Sequence, residues 1–342
     1  MSDWNTFLIA QGAKADAQGN VDFSHIDFNP ESTYLIPLQQ QGILNIQGPD
    51  SVKFLQGQVT CDVRELASNQ TRLGAQCNIK GRMLLCFRAL QPQNEQLLLR
   101  IHKDLIASGL STLGKYIVFS KAKLADVSQD YRCIGIAGPK ANEIVTSIFG
   151  ATPNENDEWQ SAIGNLIIRI DENRFECWLN PAGAEALWQQ LAIQTTQADQ
   201  NIWTLLNIQA GLGDISLDTF ETFTPQAINF QLVNGINFRK GCYTGQEIVA
   251  RLHYRGTLKR HMYRFEFTVQ DGSSPTAGSE LKNAAGKTIG EVVLAAHKSG
   301  PHGELLASVV DDERADIYLA NNTQKLELLP LPYAIPTPNE VD

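Results

Sequence analysis

Between residues 131 and 196 the chain alternates strand-like and helix-like segments in an order that few folds accommodate. Residues 131–136 read as a strand. Pro139 then opens a helix over 141–149 that Gly150 closes, since proline fits the first helical turn and glycine the left-handed position after the last. Residues 166–170 and 175–179 form a hairpin around Asp171-Glu172-Asn173, residues 181–191 a second helix, and residues 193–196 a short final strand. The order β-α-β-β-α-β is that of the split βαβ, ferredoxin-like arrangement.

The flanking regions have different rhythms. Up to about Glu31 the chain is polar and is expected to be loosely ordered at its start. Asp50 is the candidate N-cap of a short helix carrying Val52, Phe54 and Leu55. Residues 83–90 and 97–101 read as a hairpin, Asp104 as the cap of a helix through Leu113, and residues 116–119 as a strand. After Gly256, the short β-type runs 262–269, 289–296, 305–310 and 317–319 are divided by turn residues, which suggests a small antiparallel barrel. A length of 342 residues suits two or three domains. We expect α+β class, with a polar segment 1–32 and domains at 33–125, 126–250 and 251–342.

Composition narrows the function. There are 28 Lys+Arg against 37 Asp+Glu, a net charge of −9, so the surface as a whole repels phosphate backbones. The N-terminus lacks an apolar core flanked by basic residues, and no apolar run approaches the ~18 residues of a membrane span, so a cytoplasmic protein with no membrane partner is expected. The cysteines at 61, 77, 86, 133, 177 and 242 never form C-x-x-C and read as reduced thiols, with no permanently bound metal.

The chemistry concentrates in residues 239–251. Thr244 and Glu247 fit a capping box, Ile248, Val249 and Leu252 form an apolar stripe, and Glu247 and Arg251 are spaced for an ion pair. Cys242 therefore stands two residues before a helix start. The helix N-terminus together with Arg239 and Lys240 is expected to favour its thiolate. The competing reading is that Cys242 is a small buried hydrophobe and Tyr243 a packing residue. Arg239, Lys240, Arg251, Arg255, Lys259, Arg260 and Arg264 also form a basic stretch. It suits an anionic ligand such as a polyglutamate tail, an RNA backbone, or simply a solvated face.

Lys240-Gly241-Cys242-Tyr243-Thr244-Gly245-Gln246-Glu247 resembles the signature of the YgfZ family, relatives of the glycine-cleavage aminomethyltransferase (T-protein). Further matches are Phe54-Leu55-Gln56-Gly57-Gln58-Val59-Thr60, Lys80-Gly81-Arg82, Lys115-Tyr116 with Val118-Phe119-Ser120-Lys121, Pro225-Gln226-Ala227 and Pro330-Leu331-Pro332-Tyr333. The resemblance implies a ring of three domains, two ferredoxin-like α+β and one C-terminal antiparallel β-barrel, around a tetrahydrofolate site. It implies a role in assembling or repairing iron–sulfur enzymes, including those that modify tRNA, with folate and those enzymes or assembly proteins as partners and direct tRNA contact a further option. It makes Cys242 the reactive thiol and assigns Trp203, Gln209, Tyr243, Gln246 and Arg251 to the folate, with Arg239, Lys240, Gly241, Thr244, Gly245 and Glu247 as motif support. Leu84-Leu85 stand where T-proteins carry a catalytic Asp-Asp pair, which disfavours the alternative, a folate-dependent aminomethyltransferase. The T-protein pattern R-x-E-x-G becomes Asn207-Ile208-Gln209-Ala210-Gly211.

Overall fold

The structure, a computed structural model, describes residues 3–17, 19–254, 256, 258–269, 274–319 and 325–336. The chain forms two compact units. The first comprises residues 1–52, 64–72 and 88–203, and the second residues 53–63, 73–87 and 204–342.

The first unit opens with helix α1 (Trp4–Ala10), the short strands β1 (Lys14–Ala15) and β2 (Val21–Asp22), and strands β3 (Tyr34–Pro37) and β4 (Gln41–Gln47). The residues of helix α2 (Ser51–Gln56) and strands β5 (Arg72–Cys77) and β6 (Met83–Gln93) are divided between the two units. The first unit continues through β7 (Gln96–His102), α3 (Ile106–Ile117), β8 (Lys123–Asp126), β9 (Arg132–Ala137), α4 (Ala141–Phe149) and β10 (Trp159–Ala162). It ends with β11 (Asn165–Asp171), β12 (Arg174–Leu179), α5 (Pro181–Ala192), β13 (Thr196–Gln197) and the start of α6 (Gln200–Gln209).

The β-α-β-β-α-β rhythm is present as β9, α4, β11, β12, α5 and β13, with β10 an added edge strand. Besides the added β10, the strand order β10-β11-β12-β9-β3-β13 departs from a ferredoxin-like sheet in one respect. Strand β3, from nearly a hundred positions upstream, lies between β9 and β13, antiparallel to β9 and parallel to β13. Helices α4 and α5 bury Ile144, Val145, Phe149, Trp188 and Leu191 against Ile134, Ile136, Phe175 and Cys177. Gly150 adopts φ +82 at the end of α4, as its position requires.

Two expectations are corrected. The N-terminal segment is not loose: Trp4, Phe7 and Leu8 join this core, and the Trp4 ring meets Trp188 edge-on at 5.8 Å. The 4-7-8 spacing of those residues is a helical apolar stripe inside a polar stretch. Residues 116–119 are not a strand, because Tyr116 and Ile117 finish α3 and Val118 and Phe119 stand exposed in the turn that follows. Their β-propensity is overridden by the helical stripe through Ile106 and Leu113. The strand at that point is β8, an edge of the sheet β5-β6-β7-β4-β8.

Asp22 fastens β2 to the first turn of α6, its carboxylate accepting the Gln200 N–H at 2.9 Å. Burial, outweighing that bond and aided by the nearby Asp199 carboxylate, pushes its pKa from 3.8 up to about 6. The folded chain thus holds this proton more tightly than the unfolded chain. The associated stability is fully present below about 3.8 and is lost as pH rises through about 6. Thermal melts of wild type and Asp22→Asn should show the wild-type advantage shrinking between pH 4 and pH 7.

The second unit carries α7 (Gln246–Tyr254) and strands β14 (Arg260–Thr268), β15 (Glu280–Lys282), β16 (Thr288–Ser299), β17 (His302–Val310), β18 (Tyr318–Leu319) and β19 (Glu327–Leu329). They form one antiparallel sheet, β18-β15-β16-β17-β14-β19, bent where β16 bulges at Val292/Leu294 and His297/Ser299. Phe265, Phe267, Ile289, Val292, Leu305 and Ile317 form its core. The four predicted runs are β14, β16, β17 and β18.

Candidate functional site

The cysteine motif lies in the second unit and is anchored by two residues. The first is Lys240. Gln56 ends helix α2 and the buried Val59 and Cys61 follow it, and carbonyls turned inward there need donors. The Lys240 ammonium supplies them, donating to the Gln56, Val59 and Cys61 carbonyls at 2.8, 2.6 and 2.7 Å. The side chain is buried, and its charge also lies 5.1 Å from the centre of the Tyr243 ring. Lys240 is therefore not a free cation beside the thiol, as its position in sequence suggested. Thr60 extends the same seam, its hydroxyl donating to the Gly235 carbonyl and accepting the Ala75 N–H.

The second anchor is Gly245. It adopts φ +83, and a Cβ there would come within 2.5 Å of the Asn78 carbonyl oxygen and 3.0 Å of the Cys77 Cβ. Helix α7 starts at Gln246, and its first bond runs from the Val249 N–H to the Gly245 carbonyl. This is one residue later than a Thr244 cap would give, since Gly245, at φ +83, stands outside the helical region. Gly81, on the β5–β6 turn, meets Ile248 of α7, and Gln226 donates to the Val249 carbonyl.

Between these anchors Gly241 and Cys242 stand at the surface and Tyr243 turns inward. Burial, with the Cys77 thiol beside it, drives the Tyr243 pKa upward. Cys242 is exposed, which removes the buried-hydrophobe reading, whereas Cys61, Cys77, Cys86 and Cys177 are buried and Cys133 is partly so. Burial pushes the Cys77 thiol up to about 12 and raises Cys133 and Cys177 as well.

The remaining sequence-based candidates fall apart into two groups. Trp203 belongs to the first unit and is 3% exposed, with its ring filling the space a Cβ at Gly135 would need and the Arg174 guanidinium 5.7 Å from its centre. Gln209 ends α6 in the second unit, where its amide lies 3.5 Å from the fully buried Glu304. Glu304 also holds Arg264 at 2.6 Å and Lys298 at 3.0 Å. Gln246 and Thr244 are half-buried, and Glu247, Arg251 and Arg239 are exposed. Among the described residues, Glu247 and Arg251 form no ion pair with each other. The basic stretch is likewise divided: Lys240 and Arg264 are tied internally, Arg239, Arg251 and Lys259 face solvent, and Arg255 lies outside the described residues. Leu84 and Leu85 are buried in β6.

Sequence reasoning missed a cleft of about 800 Å3 in the second unit. Asn78, Lys80 and Arg82 line it from the β5–β6 turn, with Phe223, Arg260 of β14 and Glu291 of β16. Cys242 is not among its lining residues. Its sequence signal is Asn78 with Gly81, a turn pattern whose side-chain acceptor faces its own backbone. Among the described residues, no group of three His, Cys, Asp or Glu side chains is placed to hold a metal, and no helix is long and apolar enough to cross a membrane.

Residues 31–233 match the GCVT N-terminal domain family. An uncharacterized protein of Haemophilus influenzae is 37% identical over 305 residues, covering 88% of this chain and 98% of its own. A protein of Photorhabdus laumondii named tRNA-modifying protein YgfZ is 34% identical over 310 residues, covering 88% of this chain and 92% of its own. A Yersinia enterocolitica protein of the same name is 33% identical over 309 residues, with the same coverage. The crystal structure of the glycine cleavage system aminomethyltransferase T from Bartonella henselae superposes with a TM-score of 0.76, covering 96% of each chain at 16% identity. That likeness is one of fold.

Proposed function

The chain belongs to the YgfZ family, and from that premise we propose that it is a tetrahydrofolate-binding accessory protein that supports the assembly or repair of iron–sulfur enzymes, including enzymes that modify tRNA. The observation that carries the reading is the exposed Cys242, presented between a buried lysine and a glycine that has no substitute. The name borne by the relatives supports the link to tRNA modification, and the T-protein likeness supports folate. In this reading the protein is cytoplasmic and its domains are residues 33–125, 126–250 and 251–342 in a ring, with the bent six-stranded sheet as a closed barrel.

Trp203, Gln209, Tyr243, Gln246 and Arg251 would hold the folate, which supplies a reduced pterin ring when bound. Gln209 is suited to a pterin edge, since its amide both donates and accepts and its contact with Glu304 is long enough to yield to a ligand. Trp203 and Tyr243 are buried, so they back such a site instead of offering an open stacking face. The burial of Leu84 and Leu85 in a strand supports an accessory role over aminomethyl transfer, since no carboxylate stands there.

Calorimetric titration should show tetrahydrofolate binding to wild type and about tenfold weaker binding to Gln209→Leu, the size of one good hydrogen bond. Absence of saturable heat with wild type would remove the folate assignment. For the thiol, brief treatment of the native protein with iodoacetamide should label Cys242, with the other five cysteines reacting only after unfolding. Mass spectrometry of the digested protein checks this. A direct contact with tRNA is the second reading, favoured by the exposed Arg239, Arg251 and Lys259.

A further inference from the structure

The Asn78 side chain fixes the backbone of the β5–β6 turn that carries Lys80 and Arg82. The Asn78 side-chain oxygen accepts the backbone N–H of both Lys80 and Arg82, at 2.9 and 3.0 Å. Its amide nitrogen donates to Glu221 at 2.9 Å, and its backbone N–H donates to the Arg82 carbonyl. Arg82 in turn donates to the Thr222 carbonyl. The turn is braced from behind by Gly81 on Ile248 and by Gly245 on Asn78, so the cysteine motif and the rim of the cleft share one seam.

Across the cleft, Arg260 gives one N–H to the Ser308 carbonyl at 3.1 Å and keeps the others. Lys80 and Glu291 form no ion pair among the described residues. The wall between them is apolar, with Phe223 buried behind it and Ile79 79% exposed at its edge. Three cations, two carboxylates and an apolar strip suit a chain that repeats carboxylates, amide N–H groups and methylenes. Carboxylates meet the cations, amide N–H groups donate to Glu221 and Glu291, and methylenes lie on Phe223 and Ile79.

We propose that this cleft binds an acidic, amide-linked oligocarboxylate chain. This rests on the folate reading in so far as the γ-linked glutamate tail of a folate is one source of such a chain; an acidic peptide is the other. Titration of full-length protein with p-aminobenzoyl-γ-triglutamate, which lacks the pterin, and separately with α-linked triglutamate tests it apart from the folate site. At least one probe should bind saturably and lose about tenfold in affinity in Lys80→Glu, as one close charge pair turns from attraction to repulsion. Preference for the γ-linked probe identifies a folate tail, and preference for the α-linked probe a peptide. Lys80 is exposed, so Lys80→Glu should melt at the wild-type temperature. Should neither probe bind, or should Lys80→Glu bind as wild type does, the proposal fails. Probe binding with no tetrahydrofolate binding would leave the cleft assigned and the folate reading lost.

Discussion

Replacing Lys240 by methionine should destabilise the second unit by about 3–5 kcal/mol, the usual result of removing one partner from a buried charged contact. Methionine matches the lysine stem in length and apolarity, so packing is largely preserved. What it cannot replace are three N–H donors. The acceptors are backbone carbonyls at Gln56, Val59 and Cys61, which no substitution at position 240 removes from the interior. Removing a costly buried charge does not offset three unsatisfied carbonyls, each of which leaves a penalty of about 1–3 kcal/mol. Arginine should fail too, because its planar fork cannot reach three carbonyls converging on a single atom. Urea denaturation followed by far-UV circular dichroism, which reads the second unit as well as the tryptophan-bearing first, measures the loss. A Lys240→Met midpoint equal to wild type would show that the three carbonyls find other donors.

Gly245→Ala should cost about 2–5 kcal/mol, combining roughly 1–2 for a non-glycine left-handed residue with about 1–3 for overpacking. The methyl group would stand 2.5 Å from a backbone oxygen that is itself part of the β5–β6 turn, so neither side can yield cheaply. Gly241→Ala is the internal control. It is the same chemical change four positions away, at a site with open space around the new methyl. It should be neutral or slightly stabilising, within about 1 kcal/mol. Comparing the two urea midpoints separates the general effect of losing a glycine from the specific contact with Asn78. Equal midpoints would mean that the motif is not clamped to the turn.

Local chemistry makes much of this protein legible. Gly150 closing α4, the hairpin of β11 and β12 and the runs of β14, β16 and β17 follow from residue type and period. The insertion of β3 between β9 and β13 is hidden, because strand order depends on contacts between distant segments. Helix α1 is hidden by the polar residues around its three apolar anchors. At the site, the motif announces a helix start, present one residue later than a Thr244 cap gives; whether the thiol is buried or exposed is left open by the residues and is decided by the fold. The function of Lys240 is disguised, since a lysine followed by Gly-Cys looks like a cation for the thiol. Only the fold shows that its partners are carbonyls some 180 positions upstream. Of the cleft, only the Asn78 turn leaves a mark in the sequence; that Arg260 of β14 and Glu291 of β16 face it depends on contacts between distant segments.

The role assigned to Cys242 can be read in cells by measuring an iron–sulfur-dependent tRNA modification in a strain lacking this protein and supplied with wild type or Cys242→Ser. The substitution exchanges one exposed atom and should leave abundance and melting temperature unchanged. We expect the modification to fall to the level of the strain with no protein. Wild-type modification in Cys242→Ser cells would show that the sulfur performs no necessary chemistry.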